Sequence, residues 1–213
     1  MHGWQQDKKS FAPLTPFLFK RYHLYLLDLP GFGGSEFPPE NFNSFDYAEA
    51  VAEWIKNKNL KDIILVGHSF GGKVAAIVAK QNRKLVEKLI LIAGSGIVEN
   101  EKHASLKKIL PDFVKNLLRP HLVGRDYKEA GKLLPIFRTI IKEDISGVFR
   151  KIKTPTLIIW GKDDKELPVE IGVKMNKMIG GSRLDIIAGG HFPFWDNPQE
   201  TTELIKNFIN ENN

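Results

Sequence analysis

Short apolar runs alternate with amphipathic segments along most of the chain. The apolar runs end at turn residues, and their length and β-branched content are typical of strands. The predicted strands lie at 23–27, 63–66, 87–93, 155–160 and 182–188. The predicted helices lie at 45 to about 58, with Ser44 as N-cap, and at 74–79, 169–179 and 200–210. Because strands alternate with helices, the pattern predicts an α/β fold with a parallel sheet.

The pattern changes between the predicted strands at 87–93 and 155–160. Residues 99–150 have an amphipathic helical pattern that prolines and a glycine break into short pieces. We interpret residues 97–150 as a helical lid, inserted into an α/β core formed by residues 1–96 and 151–213. The whole net charge of +6 falls within residues 99–153. A basic surface of this kind could meet an acidic substrate or anionic lipid, but a solvated helical face explains it more simply.

Composition favours one globular domain. The chain has 213 residues, of which 42% are hydrophobic, and no apolar run approaches the ~18 residues of a membrane span. Its first residues do not have the pattern of a signal peptide, so we expect a soluble cytoplasmic protein. The absence of cysteine excludes disulfides, thiolate chemistry and cysteine zinc sites. We expect no nucleic-acid partner, because no basic run has interleaved aromatics, and no metal site, because no histidine spacing suggests one.

Candidate chemistry is concentrated in the turn between the predicted strand 63–66 and the helix 74–79. Residues 67–71 read Gly-His-Ser-Phe-Gly, a G-x-S-x-G motif between a strand and a helix. A turn this tight strains the backbone of Ser69, and the glycines on either side remove Cβ atoms that would collide with it. The motif predicts Ser69 as a nucleophile and the amide of Phe70, at the helix N-terminus, as an oxyanion donor. The alternative is a glycine-rich turn with an incidental serine.

A serine hydroxyl needs a base, and the base needs a third group to orient it. Two loops that follow predicted strands, at the edge of the sheet where Ser69 lies, supply these groups. One contains Asp163 and Asp164, which compete as the orienting acid, and the other contains His191, the predicted base. The order Ser, Asp, His is the one that enzymes with this turn require. His68 is interpreted as a packing or supporting residue, because adjacent side chains diverge on such a turn.

These motifs make the chain resemble the α/β-hydrolase superfamily. The resemblance is to the branch of lid-bearing serine esterases, C–C bond hydrolases and haloperoxidase-like proteins. The matching segments, which together span nearly the entire chain, are HGW at 2–4, DLPGFGGSE at 28–36, GHSFGGKVA at 67–75, KIKTPTLIIWGKDD at 151–164 and GGHFPFWDNPQE at 189–200. The resemblance implies a three-layer α/β-hydrolase fold with a mostly parallel sheet and a helical lid insertion.

The resemblance also assigns roles to individual residues. It implies that Ser69 is the nucleophile and His191 the base. The acid of this family lies three residues after a glycine and four before a proline, which implies Asp164 rather than Asp163. The oxyanion hole would take the amide of Phe70 and the amide that follows the His-Gly pair, which is that of Trp4. The family uses no cofactor for this chemistry, and none is expected here.

The beginning of the sequence departs from the family pattern. In the family the His-Gly pair follows the third strand of an eight-stranded sheet, and here only Met1 precedes it. We therefore expect a sheet that is N-terminally truncated relative to the family and lacks three of its strands, one of which would normally lie between 23–27 and 63–66. Either the sequence is a fragment or starts downstream of the natural start, or the sheet has been rebuilt. A central gap would expose two unpaired strand edges, which is costly.

The implied function is hydrolysis of an ester or a related acyl bond of a small molecule, through a Ser-His-Asp triad and an acyl-enzyme. Two alternatives stay open. The same triad could hydrolyse a C–C bond or carry out perhydrolysis. The chain could also be a non-catalytic binding protein or an inactive remnant, in which the pocket persists without turnover.

Overall fold

The computed structural model describes residues 1–98 and 131–211, and most of the predicted lid therefore lies outside the described residues. The strands are β1 (Ile63–His68), β2 (Val86–Ile92), β3 (Thr156–Gly161) and β4 (Arg183–Ile187). The helices of these residues are α1 (Thr15–Leu18), α2 (Ser44–Asn57), α3 (Phe70–Gln81), α4 (Leu134–Ile140), α5 (Ser146–Phe149), α6 (Val169–Met178), α7 (Pro193–Asp196) and α8 (Pro198–Asn210). A 3-10 helix spans Lys8–Phe11.

The four strands form one parallel sheet in the order β1-β2-β3-β4. In its register, Val66 lies beside Ile90, which lies beside Leu157. Parallel neighbours need a crossover connection, and α3 supplies it between β1 and β2, as α6 does between β3 and β4. The parallel α/β architecture predicted from the hydrophobic pattern is confirmed.

Helices cover both faces of the sheet, which gives three layers. Along β2, Leu89 and Leu91 point into a core that also contains residues of α2, α3 and α6. Ile90 and Ile92 point into a second core with α1, α7 and α8 on the opposite face. A strand buried on both faces reads as a continuous apolar run, which explains why the sequence reveals β2 so clearly. Burial of each such side chain is worth about 1.5–3 kcal/mol.

The predicted strand at 23–27 is wrong. These residues lie outside the sheet, and Tyr25 and Leu26 have 45% and 38% of their surface exposed. A strand exists through hydrogen bonds to a neighbour, and an apolar pattern does not supply the neighbour. Met1, and not this segment, lies along the free side of β1. Its amino group donates to the carbonyl oxygen of Val66 at 2.7 Å, and its carbonyl accepts from the amide of His68 at 3.0 Å.

The start of α2 also differs from the sequence-based prediction, because the N-cap is Asn43 and not Ser44. Asn43 Oδ1 accepts hydrogen bonds from the amides of Phe45 and Asp46, and its own amide donates to Asp46 Oδ2 at 2.8 Å. This reciprocal arrangement is a capping box. Ser44 is the first helical residue, and its buried hydroxyl has no hydrogen-bond partner within the described ranges.

We expect Asn43→Ala to lower the free energy of unfolding by about 1 kcal/mol, because it removes the cap. The matched variant Ser44→Ala should be neutral or slightly stabilising, because it removes a buried hydroxyl that forms no hydrogen bond. Urea unfolding curves of the two variants and the wild type measure both effects. A larger loss in Ser44→Ala than in Asn43→Ala would contradict this assignment of the cap.

Candidate functional site

Ser69 occupies the turn between β1 and α3 in a strained conformation. Its backbone has φ 51° and ψ −116°, a region that costs a residue with a side chain about 1–3 kcal/mol. Hydrogen bonds hold the turn in place. The amide of Ser69 donates to the carbonyl of Ile92 at 3.0 Å. The carbonyl of Ser69 accepts from the amides of Gly72 at 3.0 Å and Ser95 at 3.1 Å. As a whole residue, Ser69 is only half-buried.

The glycines of the motif are required by close backbone approach. A Cβ atom on Gly67 would lie 2.3 Å from the carbonyl oxygen of Gly71. A Cβ atom on Gly71 would lie 2.4 Å from the carbonyl oxygen of Met1. The first glycine thus allows the tight turn itself, as the sequence predicts, whereas the second allows the N-terminal segment to pack against the turn.

His191 and Asp164 are in direct contact. The Nδ1 atom of His191 lies 2.8 Å from Oδ2 of Asp164, and both side chains are buried. The other carboxylate oxygen, Oδ1, accepts from the amides of Glu166 and Leu167, each at 2.9 Å. Asp163 is exposed, and its amide donates to the carbonyl of Gly189. Of the two candidate acids, the structure therefore brings Asp164 to His191.

Glu166 is a site residue that the sequence reasoning missed. Its Oε2 atom lies 3.7 Å from Nε2 of His191, so the imidazole has a carboxylate on each side. The available signal was its position two residues after Asp164 in the same loop. The direction of its side chain depends on the path of that loop, which the sequence does not specify.

His68 connects the turn at Ser69 to the loop that carries His191. Its Nε2 atom donates a hydrogen bond to the main-chain carbonyl of His191 at 2.8 Å, and the two imidazole centres are 4.8 Å apart. Complete burial lowers the pKa of His68 well below its ordinary value, so the ring is neutral. The hydroxyl of Ser69 itself forms no hydrogen bond to His191 in the part of the chain that the structure describes.

The main-chain amides of Trp4 and Phe70, both near Ser69, have no acceptor among the described residues. Phe70 begins α3, so its amide points out of the helix end. The segment that contains Trp4 lies against Ser69, since a Cβ atom on Gly3 would approach the Cβ of Ser69 to 3.2 Å. The indole of Trp4 packs edge-on against the ring of Phe70, with centroids 5.5 Å apart.

His2 holds the segment of Trp4 against the loop at Leu29. The Nε2 atom of its ring accepts from the amide of Leu29 at 3.0 Å, so Nδ1 carries the proton and donates to the carbonyl of Gly3 at 2.8 Å. The side chain is fully buried, and this burial lowers the pKa of His2 from 6.5 to about 4. His2 belongs to the HGW segment at 2–4 that resembles the family, but the sequence pattern does not indicate this supporting role.

The lowered pKa of His2 predicts a loss of stability in acid. Between about pH 6.5 and pH 4 the unfolded chain binds a proton at His2 that the folded chain excludes, so stability falls as the pH falls. In His2→Gln the amide oxygen of the glutamine can still accept from the amide of Leu29. When the pH is lowered from 7 to 5, we expect the free energy of unfolding of this variant to fall by about 2 kcal/mol less than that of the wild type. Urea unfolding at the two pH values measures this difference. Equal pH dependence in His2→Gln and the wild type would contradict the assignment.

Helix α4 borders the site from the side of the predicted lid. Phe137 packs against Trp4 with ring centroids 5.1 Å apart. Lys73, on α3, donates from Nζ to the carbonyl of Ile140 at 2.6 Å and to that of Glu143 at 3.0 Å. Burial lowers the pKa of this lysine to about 8. The helix that begins at Phe70 is thus fastened to the end of α4.

A groove of about 940 Å³ opens beside the contact between Trp4 and Phe137, and these two side chains form part of its wall. The exposed indole of Trp195 lines it as well.

In residues 1–98 and 131–211, no three His, Asp or Glu side chains come together as a metal-binding group. No helix within these ranges has both the length and the apolar character of a membrane-spanning segment.

Comparisons with known proteins agree with this architecture. The model of a family described as the alpha/beta hydrolase family matches residues 1–204. The uncharacterized hydrolase YugF of Bacillus subtilis is 27% identical over 240 residues, which cover 98% of this chain and 88% of that protein. Human monoacylglycerol lipase ABHD6 is 26% identical, with 98% of this chain and 74% of the lipase covered. The crystal structure of a membrane phospholipase A, a bacterial virulence factor, superposes with a TM-score of 0.81 at 26% identity, over 98% of this chain and 76% of that one.

Proposed function

Because the chain belongs to the alpha/beta hydrolase family, we propose that it is a serine hydrolase that cleaves a carboxylic ester or a related acyl bond of a small molecule. The observation that carries the proposal is the buried 2.8 Å hydrogen bond between His191 and Asp164, on a loop fastened to the strained turn of Ser69. A serine, a base and an orienting acid in this arrangement suit nucleophilic attack on a carbonyl carbon.

In the proposed reaction the Oγ atom of Ser69 attacks the carbonyl carbon, and Nε2 of His191 takes the hydroxyl proton. Asp164 accepts from Nδ1, which keeps the lone pair on Nε2 and stabilises the imidazolium that forms. The amides of Phe70 and Trp4, both without acceptors among the described residues, bind the negative oxygen of the tetrahedral intermediate. The alcohol leaves with the proton from His191. Water then adds to the acyl-enzyme by the same route and releases the acid and free Ser69.

Two of the relatives support a carboxylic ester as the substrate, since they are named as a monoacylglycerol lipase and a phospholipase A. The groove beside Trp4 and Phe137 offers an aromatic wall for the part of a substrate remote from the scissile bond. Residues 97–150 are proposed as the lid over this site, with α4 as the part of the lid that touches Trp4.

A substrate panel tests the proposal. We would compare nitrophenyl esters of increasing acyl length, a monoacylglycerol, an anilide and a C–C bond substrate of the dienone type, each at equal concentration. Hydrolysis of the esters at the highest kcat/KM is the expected result. Faster cleavage of the C–C substrate would support the alternative with the same triad, and no cleavage of any compound would contradict the proposed function.

A further inference from the structure

His68 lies where the turn of Ser69, the loop of His191 and the segment of Gly3 meet. Its side chain is completely buried, and its ring centre lies 4.8 Å from that of Phe192 and 5.1 Å from that of Phe194. The hydrogen bond from its Nε2 to the carbonyl of His191 has no part in the reaction proposed above. The bond nevertheless joins the residue next to the nucleophile directly to the main chain of the base.

The geometry of His68 does not suit a proton acceptor for Ser69. Its Nε2 atom is already occupied as a donor to the carbonyl of His191. Its Nδ1 atom is buried without a hydrogen-bond partner among the described residues, and a Cβ atom on Gly3 would lie 3.1 Å from it. Ser69, by contrast, is only half-buried as a residue. His68 therefore contributes a hydrogen-bond donor to the site and not a second base.

The unpartnered Nδ1 atom indicates that the hydrogen bond donated by Nε2 has a function at this site. A buried acceptor without a partner is unfavourable, and a hydrophobic side chain of the same shape would avoid that cost. Phe192 and Phe194 already provide an apolar environment that such a side chain could fill. A histidine at this position is explained if the bond from its other nitrogen has a function that an apolar side chain lacks.

We propose that His68 is a positioning residue that holds His191 in reach of Ser69 through its hydrogen bond to the main-chain carbonyl of His191. The inference rests on the proposed function. Asp164 holds the imidazole of His191 at Nδ1, and the amide of Asp163 donates to the carbonyl of Gly189, so both of these contacts come from the loop of Asp164. The bond from His68 adds a second anchor on the main chain, and this anchor is covalently next to the nucleophile. Two anchors fix both the direction of the ring and its distance from Ser69.

The test uses two variants that separate the donor from the packing. His68→Phe keeps an aromatic ring between Phe192 and Phe194 but has no donor, whereas His68→Gln places an amide donor near the position of Nε2. In His68→Phe we expect kcat for a nitrophenyl ester to fall about 100-fold with KM within about twofold of the wild type, because a small misplacement of the base affects the chemical step. His68→Gln should recover to within about fivefold of the wild type. Equal rates in His68→Phe and the wild type, or equal losses in both variants, would overturn the inference.

A measurement on the wild-type protein keeps the inference testable if a variant does not fold. The ¹⁵N spectrum of histidine-labelled protein at neutral pH should show His68 as a neutral ring with the proton on Nε2. A proton on Nδ1 and none on Nε2 would overturn the inference. Failure of the proposed function is distinguishable, because it would appear in the wild type itself, either as no cleavage of any compound of the panel or as ester hydrolysis that does not depend on Ser69.

Discussion

Ser69→Ala is expected to lose ester hydrolysis by a factor on the order of 10⁴ to 10⁶ in kcat, because it removes the oxygen atom that would form the proposed acyl-enzyme. The variant should fold, since alanine adds no atom to the turn and the hydrogen bonds that hold the turn come from the main chain. Initial rates with a nitrophenyl ester measure the loss, and thermal unfolding of the same samples measures whether the fold is intact.

Ser182→Ala is the matched control for this experiment. Ser182 lies just before β4, at the opposite edge of the sheet, and its hydroxyl donates to the carbonyl of Ile179 at 2.8 Å. Its loss should leave the rate within about twofold of the wild type. A folded Ser69→Ala variant with a tenth or more of the wild-type rate would show that another group carries out the hydrolysis.

Asp164→Asn is expected to lower kcat by roughly 10⁴, the loss known for an asparagine in place of the acid of such a triad. The amides of Glu166 and Leu167 both donate to Oδ1 of Asp164. In the variant these two donors would hold the amide oxygen of asparagine on their own side. The NH₂ group would then face Nδ1 of His191 and donate to it, which places the imidazole proton on Nε2, where it blocks attack by Ser69.

Asp163→Asn provides a close control, because it changes the adjacent carboxylate in the same loop. Asp163 is exposed, and its side chain forms no hydrogen bond to any described residue, whereas its amide, which the substitution keeps, donates to the carbonyl of Gly189. We expect this variant to retain the wild-type rate within about twofold. The reverse outcome, with a large loss in Asp163→Asn and a small one in Asp164→Asn, would reassign the acid.

The sheet and its order of elements could be predicted where burial on both faces leaves a continuous apolar run, as in β2 and β3. The segment at 23–27 has a similar pattern but is not a strand, because strand formation requires a partner that local sequence does not reveal. The cap of α2 was misplaced by one residue, since Asn43 and Ser44 are both common N-caps and only the bonds of Asp46 distinguish them.

The candidate site was predictable to the extent that its residues follow the ends of strands. Three residues lie directly after a strand or in the loop that follows one: Ser69, Asp164 and His191. Because the carboxyl ends of parallel strands share one edge of the sheet, their positions along the chain are enough to bring them to that edge. Glu166 and the bonds of His2 and His68 depend on loop paths and on ring orientation, which the hydrophobic pattern does not encode. The predicted lid residues at 99–130 lie outside the described residues, and their role stays a prediction.

Labelling with a fluorophosphonate tests the central claim most directly, because this reagent reacts with a serine only when base and oxyanion donors are in place. Intact mass and peptide mapping would follow the wild type, Ser69→Ala and Asp164→Asn after a short exposure. We expect a single adduct on Ser69 of the wild type, none in Ser69→Ala and a much slower reaction in Asp164→Asn. A folded wild-type protein that forms no adduct, or forms it on another residue, would contradict the account and favour a binding protein without catalytic activity.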